Sequence, residues 1–388
     1  MSTPIVRKVG AAVAVSSVGA LPVLLLGGLA VLPQDDLAFG EAELGTAVAA
    51  YFMSAALAAA PAGRLAERFA PRTVAWLGLA CTAGSLLGIG LVANSSASLV
   101  CLLAFGGLGA ALATVGTAVL VARGVAVHRQ GVSFGVTQAA FPLAALLTGL
   151  SVPTIALTLG WRWPFILGAV AAPLAAAVMP AGDARRSGDR SREGDAPIDA
   201  LILLALGMGL ASAGGSSSAT FIMASSVDRG VAPADAGLVL ATGSFAGLAA
   251  RIFVGWLADR FGQGPLLLVA ILMAVGAVGY VGLAFSESPA LIVFFTTLAF
   301  SGGWGWPGLI LLATSRASPA APGIAIGVVF VGGMAGAVVG PLVFGSLAEH
   351  VAFSVSWFLM ATMALVGVGA ILLSHQRTLR PRPSLGRQ

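Results

Sequence analysis

Long apolar runs that are free or nearly free of charged residues follow one another along almost the whole chain. They show neither the alternation of half-buried strands nor the 3.6-residue stripe of surface helices. The first run, residues 9–32, has no charged residue in 24 positions. Because a helix rises about 1.5 Å per residue, about 20 residues cross a hydrocarbon core roughly 30 Å thick. This pattern predicts a membrane span.

Twelve such runs are separated by shorter polar segments. We place them at residues 9–32, 43–62, 73–92, 98–122, 132–158, 163–179, 199–224, 236–256, 265–285, 290–313, 323–347 and 354–374. In lipid the backbone amides must be satisfied within each segment, and the runs are too long and too evenly apolar for barrel strands. The sequence therefore predicts an all-α polytopic membrane protein with twelve transmembrane helices.

Composition removes the soluble alternative. Apolar residues make up 58% of the 388 positions and charged residues 9%, against about a quarter charged in an ordinary soluble domain. Arg7 and Lys8 precede the first run, as they would in a secretory signal. A signal has an apolar region of only about 7 to 15 residues and a small-residue cleavage site, so we interpret the first run as an uncleaved span.

Basic residues predict the orientation. If the amino terminus is cytoplasmic, 18 of the 20 basic residues lie on the inner side, and only Arg162 and Arg229 lie outside. Inner loops of membrane proteins carry this excess of basic residues. We therefore expect a multi-pass protein of the plasma (inner) membrane with both termini cytoplasmic. The basic residues are scattered over short inner segments without interleaved aromatic residues, which argues against nucleic-acid binding.

The runs divide into two sets of six. Residues 181–197 form the longest polar stretch, mixing charged residues with glycine and serine, which is typical of a flexible linker. We predict an N-terminal bundle at 1–180, a cytoplasmic linker at 181–197, a C-terminal bundle at 198–374 and a cytoplasmic tail at 375–388.

Two landmarks recur at one spacing and indicate internal duplication. The segment from Gly63 to Phe69 (GRLAERF) reappears from Gly255 to Phe261 (GWLADRF), 192 residues later, and Gly135-Val136 recurs as Gly327-Val328 at the same offset. The segments after the second and eighth runs resemble motif A of the major facilitator superfamily. The matching residues are Gly63, Leu65, Glu67, Arg68 and Arg72 in the first copy and Gly255, Leu257, Asp259, Arg260 and Gly262 in the second.

The resemblance implies two pseudo-symmetric six-helix halves that move a small molecule by alternating access. It implies that Glu67 and Asp259 are latch acids on the inner side, with Arg68, Arg72 and Arg260 as their partners. A carboxylate there can accept from a neighbouring helix N-terminus while arginines pair across the interface. The alternative is that these charges only hold the loops in the cytoplasm.

Few polar residues lie within the runs. Gln138 is the only amide side chain inside a span, and it serves either a packing hydrogen bond or a contact with the substrate cavity. Trp304 and Trp306 lie beside glycines and Pro307 near the middle of span ten, where the helix can break; they either line the cavity or fill space.

We expect Arg251 to extend to the membrane interface. Gly332, Gly336 and Gly340 favour close helix packing.

These observations predict a secondary carrier. No acid lies in the middle of a span, and with no buried formal charge the cavity suits a neutral or amphipathic substrate; the alternatives are an organic-anion uptake carrier and a non-transporting membrane sensor. We find no catalytic constellation, metal-ligand spacing or cofactor motif, so we do not expect an enzyme. The expected partners are the lipid bilayer and a small-molecule substrate, and the resemblance adds a coupling proton or ion.

Overall fold

The structure is a computed structural model that describes residues 3–37, 39–124, 136, 138–179, 198–261, 264–318 and 322–379. Within these ranges every regular element is helical. The helices are α1 (Thr3–Leu29), α2 (Gln34–Leu37), α3 (Glu41–Arg68), α4 (Pro71–Leu91), α5 (Ser96–Gly124), α6 (Ala140–Ser151), α7 (Leu157–Leu159), α8 (Arg162–Ala177), α9 (Ile198–Asp228), α10 (Pro233–Phe261), α11 (Pro265–Phe285), α12 (Pro289–Trp304), α13 (Pro307–Ala317), α14 (Pro322–His350) and α15 (Phe353–Leu379). A π-helical turn, Val152–Ala156, joins α6 to α7.

Ten helices of the described chain are long and apolar enough to cross a membrane. The other two predicted spans correspond to the shorter apolar helix α8 and to the pair α12 and α13, which the segment at Gly305 and Trp306 separates. The prediction of an all-α, polytopic fold is thereby confirmed. Proline occupies an initial position of α4, α11, α12 and α13, where its missing N–H costs nothing because the first turn has no helical acceptor for it.

The helices pack as two groups. In the first, α5 packs against α1, α3 and α4, and α8 packs against α4; in the second, α9 packs against α14 and α15, and α11 packs against α12 and α15. The most extensive packing between the groups is that of α3 with α14, α6 with α10, and α1 with α9. We call these groups the N-half and the C-half. The predicted linker, 181–197, lies outside the described residues, and the exact bounds of the halves stay a prediction.

The predicted close packing of the glycines in span eleven is confirmed. A Cβ atom on Gly332, Gly336 or Gly340 would overlap the backbone of α9 at Ala205, Gly209 and Ala213 respectively. Only glycine allows the two backbones to approach this closely. This contact holds α9 and α14 together as one wall of the C-half.

Helix direction defines two faces of the bundle. The terminus face is the one at which α1 begins and α15 ends, and the distal face carries α2 and the ends of α9 and α14. Because the long helices alternate in direction, α3 and α10 begin at the distal face and end at the terminus face, whereas α14 runs the opposite way. Every contact between α3 and α14 can therefore be assigned to one face.

Candidate functional site

The break in span ten is confirmed, and it places two tryptophans at the centre of the bundle. Helix α12 ends at Trp304 and α13 begins at Pro307. Trp304 and Trp306 are both buried, at 3% exposure; the indole N–H of Trp304 donates to the Gly215 carbonyl (2.9 Å) and that of Trp306 to the Gly303 carbonyl (2.7 Å). Both rings fill space, and their assignment to a substrate cavity stays a prediction.

Trp304 lies where the two halves meet. Its ring is 5.3 Å from that of Phe141 in the N-half, edge to face, and 4.7 Å from that of Phe300 in the C-half. Such ring pairs each contribute about 0.5–1.5 kcal/mol beyond the area they bury. The three rings form an aromatic cluster between α6 and α12, which we call the central aromatic cluster.

The expectation for Arg251 is wrong. Its partly buried side chain does not extend along α10 to the membrane interface. Its Nε donates to the Trp304 carbonyl (2.5 Å), and Nη1 donates to the Gln138 carbonyl in the N-half. Ala258, where the apolar part of α10 ends, is seven residues away, about 10 Å along the helix. Backbone acceptors are nearer than the interface, and Arg251 uses them instead.

Both acceptors are carbonyls that their own helices leave free. Gln138 would normally accept from the residue four positions later, which is Pro142 and has no N–H. Trp304 is the last residue of α12, where a helix leaves its carbonyls unpaired. Sequence reasoning could have found this site from a lone arginine in one span together with a proline that frees a carbonyl in a second span and a helix break that frees one in a third. Gln138 contacts Arg251 through its backbone carbonyl.

At the distal face, glycines bring the halves into backbone contact. A Cβ atom on Gly45 of α3 would overlap the Pro341 carbonyl of α14, and one on Gly345 of α14 would overlap the Glu41 carbonyl. The same two helices therefore touch twice, on one side, within the first turns of α3. Contacts of this kind need glycine at each position because any larger residue would push the helices apart.

Two further helices bring a glycine close to side chains of the opposite half. A Cβ atom on Gly237 of α10 would lie 2.6 Å from Val152 Cβ in the N-half. One on Gly28 of α1 would overlap Thr148 Cγ2 within the N-half and would lie 2.9 Å from Leu240 Cδ2 in the C-half. Both glycines are in the distal portions of their helices. The distal interface is therefore closed along α1, α3, α10 and α14.

At the terminus face the same four helices carry glycines with space around them. A Cβ atom placed on any of them would meet no atom of the described residues within 4 Å. These open glycines are Gly10 of α1, Gly63 of α3, Gly255 of α10 and Gly327 of α14. Within the part of the chain that the structure describes, the two halves are in contact at the distal face and are not in contact at these four positions of the terminus face.

A carboxylate bridges the halves at the distal face. Glu349, at the end of α14, accepts from the Ala42 backbone N–H in the first turn of α3 (2.7 Å). The first N–H groups of a helix lack helical partners and carry a partial positive charge. Glu349 therefore caps a helix of the opposite half. Sequence reasoning missed this residue because nothing local distinguishes a glutamate at the end of a span.

Of the predicted latch residues, the structure places four. Gly63 and Gly255 are open glycines, and Arg68 is exposed. Arg72 lies over the Trp76 ring, 4.5 Å from its centroid, and its buried Nε has no hydrogen-bond partner among the described residues. The side chains of Glu67, Asp259 and Arg260 lie outside the described residues, so the predicted pairing of acids and arginines stays a prediction.

A cavity of about 420 Å³ opens at the distal end of the C-half, between α9, α11 and α15. Arg229 in its wall donates to the Leu283 carbonyl (2.8 Å) and to the Ser225 hydroxyl (2.6 Å). Burial lowers the pKa of the Arg229 guanidinium, and the neighbouring Asp228 opposes that shift. The donors of Arg229 are used within one half, so this cavity does not lie on the interface between the halves.

Comparison with known proteins gives matches over the whole chain. The model of the Major Facilitator Superfamily matches twice, over residues 10–205 and 203–388. An uncharacterized MFS-type transporter of Mycobacterium tuberculosis is 30% identical over 150 residues. Those residues are 38% of this chain and 26% of the relative, so the chain spans about a quarter of that relative's length.

Two solved structures share the fold. A bacterial homolog of the human lysosomal transporter Spinster, in an inward-facing and occupied conformation, superposes with a TM-score of 0.78 at 13% identity, covering 97% of this chain and 98% of that one. The inward-facing and unoccupied conformation gives a TM-score of 0.75 at 13% identity and covers both chains completely (100% of each). At this identity the likeness shows the fold alone.

Proposed function

The chain belongs to the major facilitator superfamily, and from that premise we propose that it is a secondary carrier that moves a small molecule across the plasma membrane by alternating access between its two halves. The proposal treats the terminus face as cytoplasmic, as the distribution of basic residues predicts. In that orientation the packed distal glycines and the open terminus glycines support a state that is closed outward and open inward. The relative motion of the two halves, rather than a catalytic group, would move the substrate.

One observation carries the proposal: four interface helices each hold two glycines 18 residues apart, one in contact and one open. The pairs are Gly10 and Gly28, Gly45 and Gly63, Gly237 and Gly255, and Gly327 and Gly345. Eighteen residues are about five turns, or roughly 27 Å, so both glycines of a pair lie on the same side of their helix. The distal member contacts the opposite half, and the terminus member is open.

This arrangement supports a rocking motion. Rotating the halves about the centre of the interface would separate the distal glycines and bring the terminus glycines together, with the same helices packing in the same manner at the other end. Glycine at both ends allows close approach in either state. Packed interfaces of this kind have discrete alternative packing arrangements rather than a continuous range of positions. We therefore propose that Gly63, Gly255 and Gly327 become contacts when the terminus face closes.

The contacts of α3 with α14 supply a test. Gly45 with Pro341 and Glu41 with Gly345 fix one antiparallel register. Continuing that register by about five turns brings Ala59 opposite Gly327. In a background without Cys81 and Cys101, the pair Ala42→Cys and Glu349→Cys reports distal closure, and the pair Ala59→Cys and Gly327→Cys reports terminus closure. We expect both pairs to cross-link in membranes and each cross-link to stop transport.

Transport itself is measured in vesicles reconstituted with the purified chain and a panel of neutral, amphipathic and anionic compounds. Flux of at least one compound, lost on cross-linking either face and restored on reduction, is the expected result. A terminus-face pair that never cross-links while transport proceeds contradicts the rocking motion. Ligand binding without flux of any compound favours the membrane sensor instead.

A further inference from the structure

Arg251 is the described charged side chain that lies deepest in the interface between the halves, and the proposed carrier mechanism does not use it. The guanidinium contacts carbonyls of both halves. Among the described residues the ion pair is Arg377 with Asp199, and no carboxylate contacts Arg251. Leaving a partly buried charge without a counter-ion is costly, and a charged residue inside a membrane protein is for that reason a candidate functional site. Carbonyl dipoles solvate the charge of Arg251 but do not neutralise it.

We propose that Arg251 binds the carboxylate of an organic anion, which is the transported substrate. The inference rests on the proposed carrier function and names its substrate class. It also replaces the expectation of a neutral substrate, because that expectation assumed that no formal charge was buried.

Three features define the site. A guanidinium has five N–H bonds, and the two carbonyls use two of them, so the remainder can bind both oxygens of a carboxylate. Gly255 lies four residues further along α10, on the same side, and is open, so the described residues leave room on the terminus side of Arg251. The central aromatic cluster includes Trp304, whose carbonyl Arg251 contacts, and the partly buried Phe141.

These neighbours specify the chemistry of the ligand. The guanidinium selects the anionic head group, and the partly buried ring of Phe141 favours an apolar body attached to it, whereas Phe300 and Trp304 are already buried in the cluster. A small inorganic anion would satisfy the arginine but make no contact with Phe141. The fitting compound is therefore a monocarboxylate with an aromatic or alkyl body.

Substrate binding also affects the bridge between the halves. A hydrogen bond from a guanidinium to a carboxylate is about twice as strong as one between neutral groups. The carboxylate binds the free N–H groups and, as the stronger acceptor, weakens the bond from Nη1 to the Gln138 carbonyl, which belongs to the N-half; the Trp304 carbonyl belongs to the same half as Arg251. Binding would therefore weaken the direct bridge between the halves, which couples occupancy to the rocking motion.

The binding test uses matched pairs of carboxylates and primary amides on the purified full chain: acetate with acetamide, benzoate with benzamide, and octanoate with octanamide, plus sulfate alone. A ligand that binds the native state raises its apparent thermal midpoint. We expect benzoate and octanoate to raise the midpoint more than their amides do, and more than acetate or sulfate. If the acid and its amide shift the thermal midpoint equally in all three pairs, the proposal is overturned.

The variants test the residue. Arg251→Gln should weaken carboxylate binding about ten- to a hundred-fold, since a hydrogen bond to a charged group contributes about 1.5–3 kcal/mol, and should leave amide binding unchanged. The matched control is Arg162→Gln, which removes an arginine that donates to the carbonyls of Gly90 and Ala93 within one half; it should keep wild-type selectivity. Equal selectivity in Arg251→Gln and wild type overturns the assignment.

A second variant covers the case in which Arg251→Gln does not fold. Arg251→Lys keeps the charge but loses the planar fork, so the preference for carboxylate over amide should fall while the protein stays folded. An unchanged preference in Arg251→Lys contradicts the bidentate site.

Vesicle flux separates the two proposals. Carboxylate selectivity without flux of any labelled acid supports the site and overturns the carrier. Flux of neutral compounds that is indifferent to Arg251→Gln overturns the site and leaves the carrier standing. Benzoate flux that is abolished by Arg251→Gln and retained by Arg162→Gln supports both.

Discussion

The distal and terminus ends of the interface use the same four helices and differ in nearly every contact. At the distal end, Gly45 and Gly345 bring α3 and α14 into backbone contact, and Glu349 caps α3 from the opposite half. At the terminus end, Gly63 and Gly327 of the same helices are open. Because the glycine spacing is the same at both ends, the residue type does not decide which end is closed. The relative tilt of the halves decides it.

The largest expected effect comes from blocking the closed end. Gly45→Leu places a side chain against the Pro341 carbonyl, and overpacking of this kind costs about 1–3 kcal/mol. We expect a lower thermal midpoint of the purified protein and loss of transport. Gly63→Leu, on the same side of the same helix, should leave the midpoint unchanged and still stop transport, because the terminus face can no longer close. Equal midpoints for the two variants would contradict the assignment of the closed end.

Neutralising the predicted latch acid should have the next largest effect. Asp259→Asn removes a charge that the motif resemblance assigns to closure of the terminus face. We expect normal membrane insertion and initial transport rates that are roughly tenfold lower. A decrease of this size corresponds to the loss of about one charge-assisted hydrogen bond. Asp235→Asn, in the first turn of the same helix at the distal face, serves as the control. Equal uptake by Asp259→Asn and wild type at equal expression counts against the latch.

Removing the distal cap should have a smaller effect. Glu349→Gln keeps a hydrogen-bond acceptor but loses the charge that complements the start of α3, which contributes about 0.3–1 kcal/mol at an exposed helix end. We expect the yield of the Ala59→Cys and Gly327→Cys cross-link to rise roughly two- to fivefold. Glu43→Gln provides the comparison, because Glu43 accepts from the Gly40 N–H within its own half (3.0 Å). The same rise in both variants would remove the special role of the bridge.

The smallest effect is expected away from the interface. Arg377 and Asp199 form an exposed ion pair (2.7 Å) between α15 and α9, both in the C-half. Exposed ion pairs contribute little because water and salt screen them. Arg377→Gln should leave the thermal midpoint, the transport rate and both cross-link yields at wild-type values. A change in the ratio of the two cross-links would show that this pair acts on the interface after all.

The sequence predicted the helices and their repetition well, because each span is decided locally. A run such as residues 9–32 has no charged residue that must stay in water. In lipid its backbone groups must be paired within the segment, so it forms a helix independently of the other spans. The broken helix at Trp304 was predicted for the same reason, since glycines and Pro307 act on their own segment. The recurrence of Gly63 to Phe69 at Gly255 to Phe261 indicated two related halves.

The sequence determined a helical membrane protein in two related halves, because hydropathy, proline and repetition are properties of short segments. Only the tertiary structure decided which glycine of each pair is packed, that Glu349 caps α3 about 300 residues away in the chain, and that Arg251 turns to the carbonyls of Gln138 and Trp304. Each of these contacts joins helices that are distant in sequence, and its energy depends on how the two halves are tilted. No local pattern carries that information.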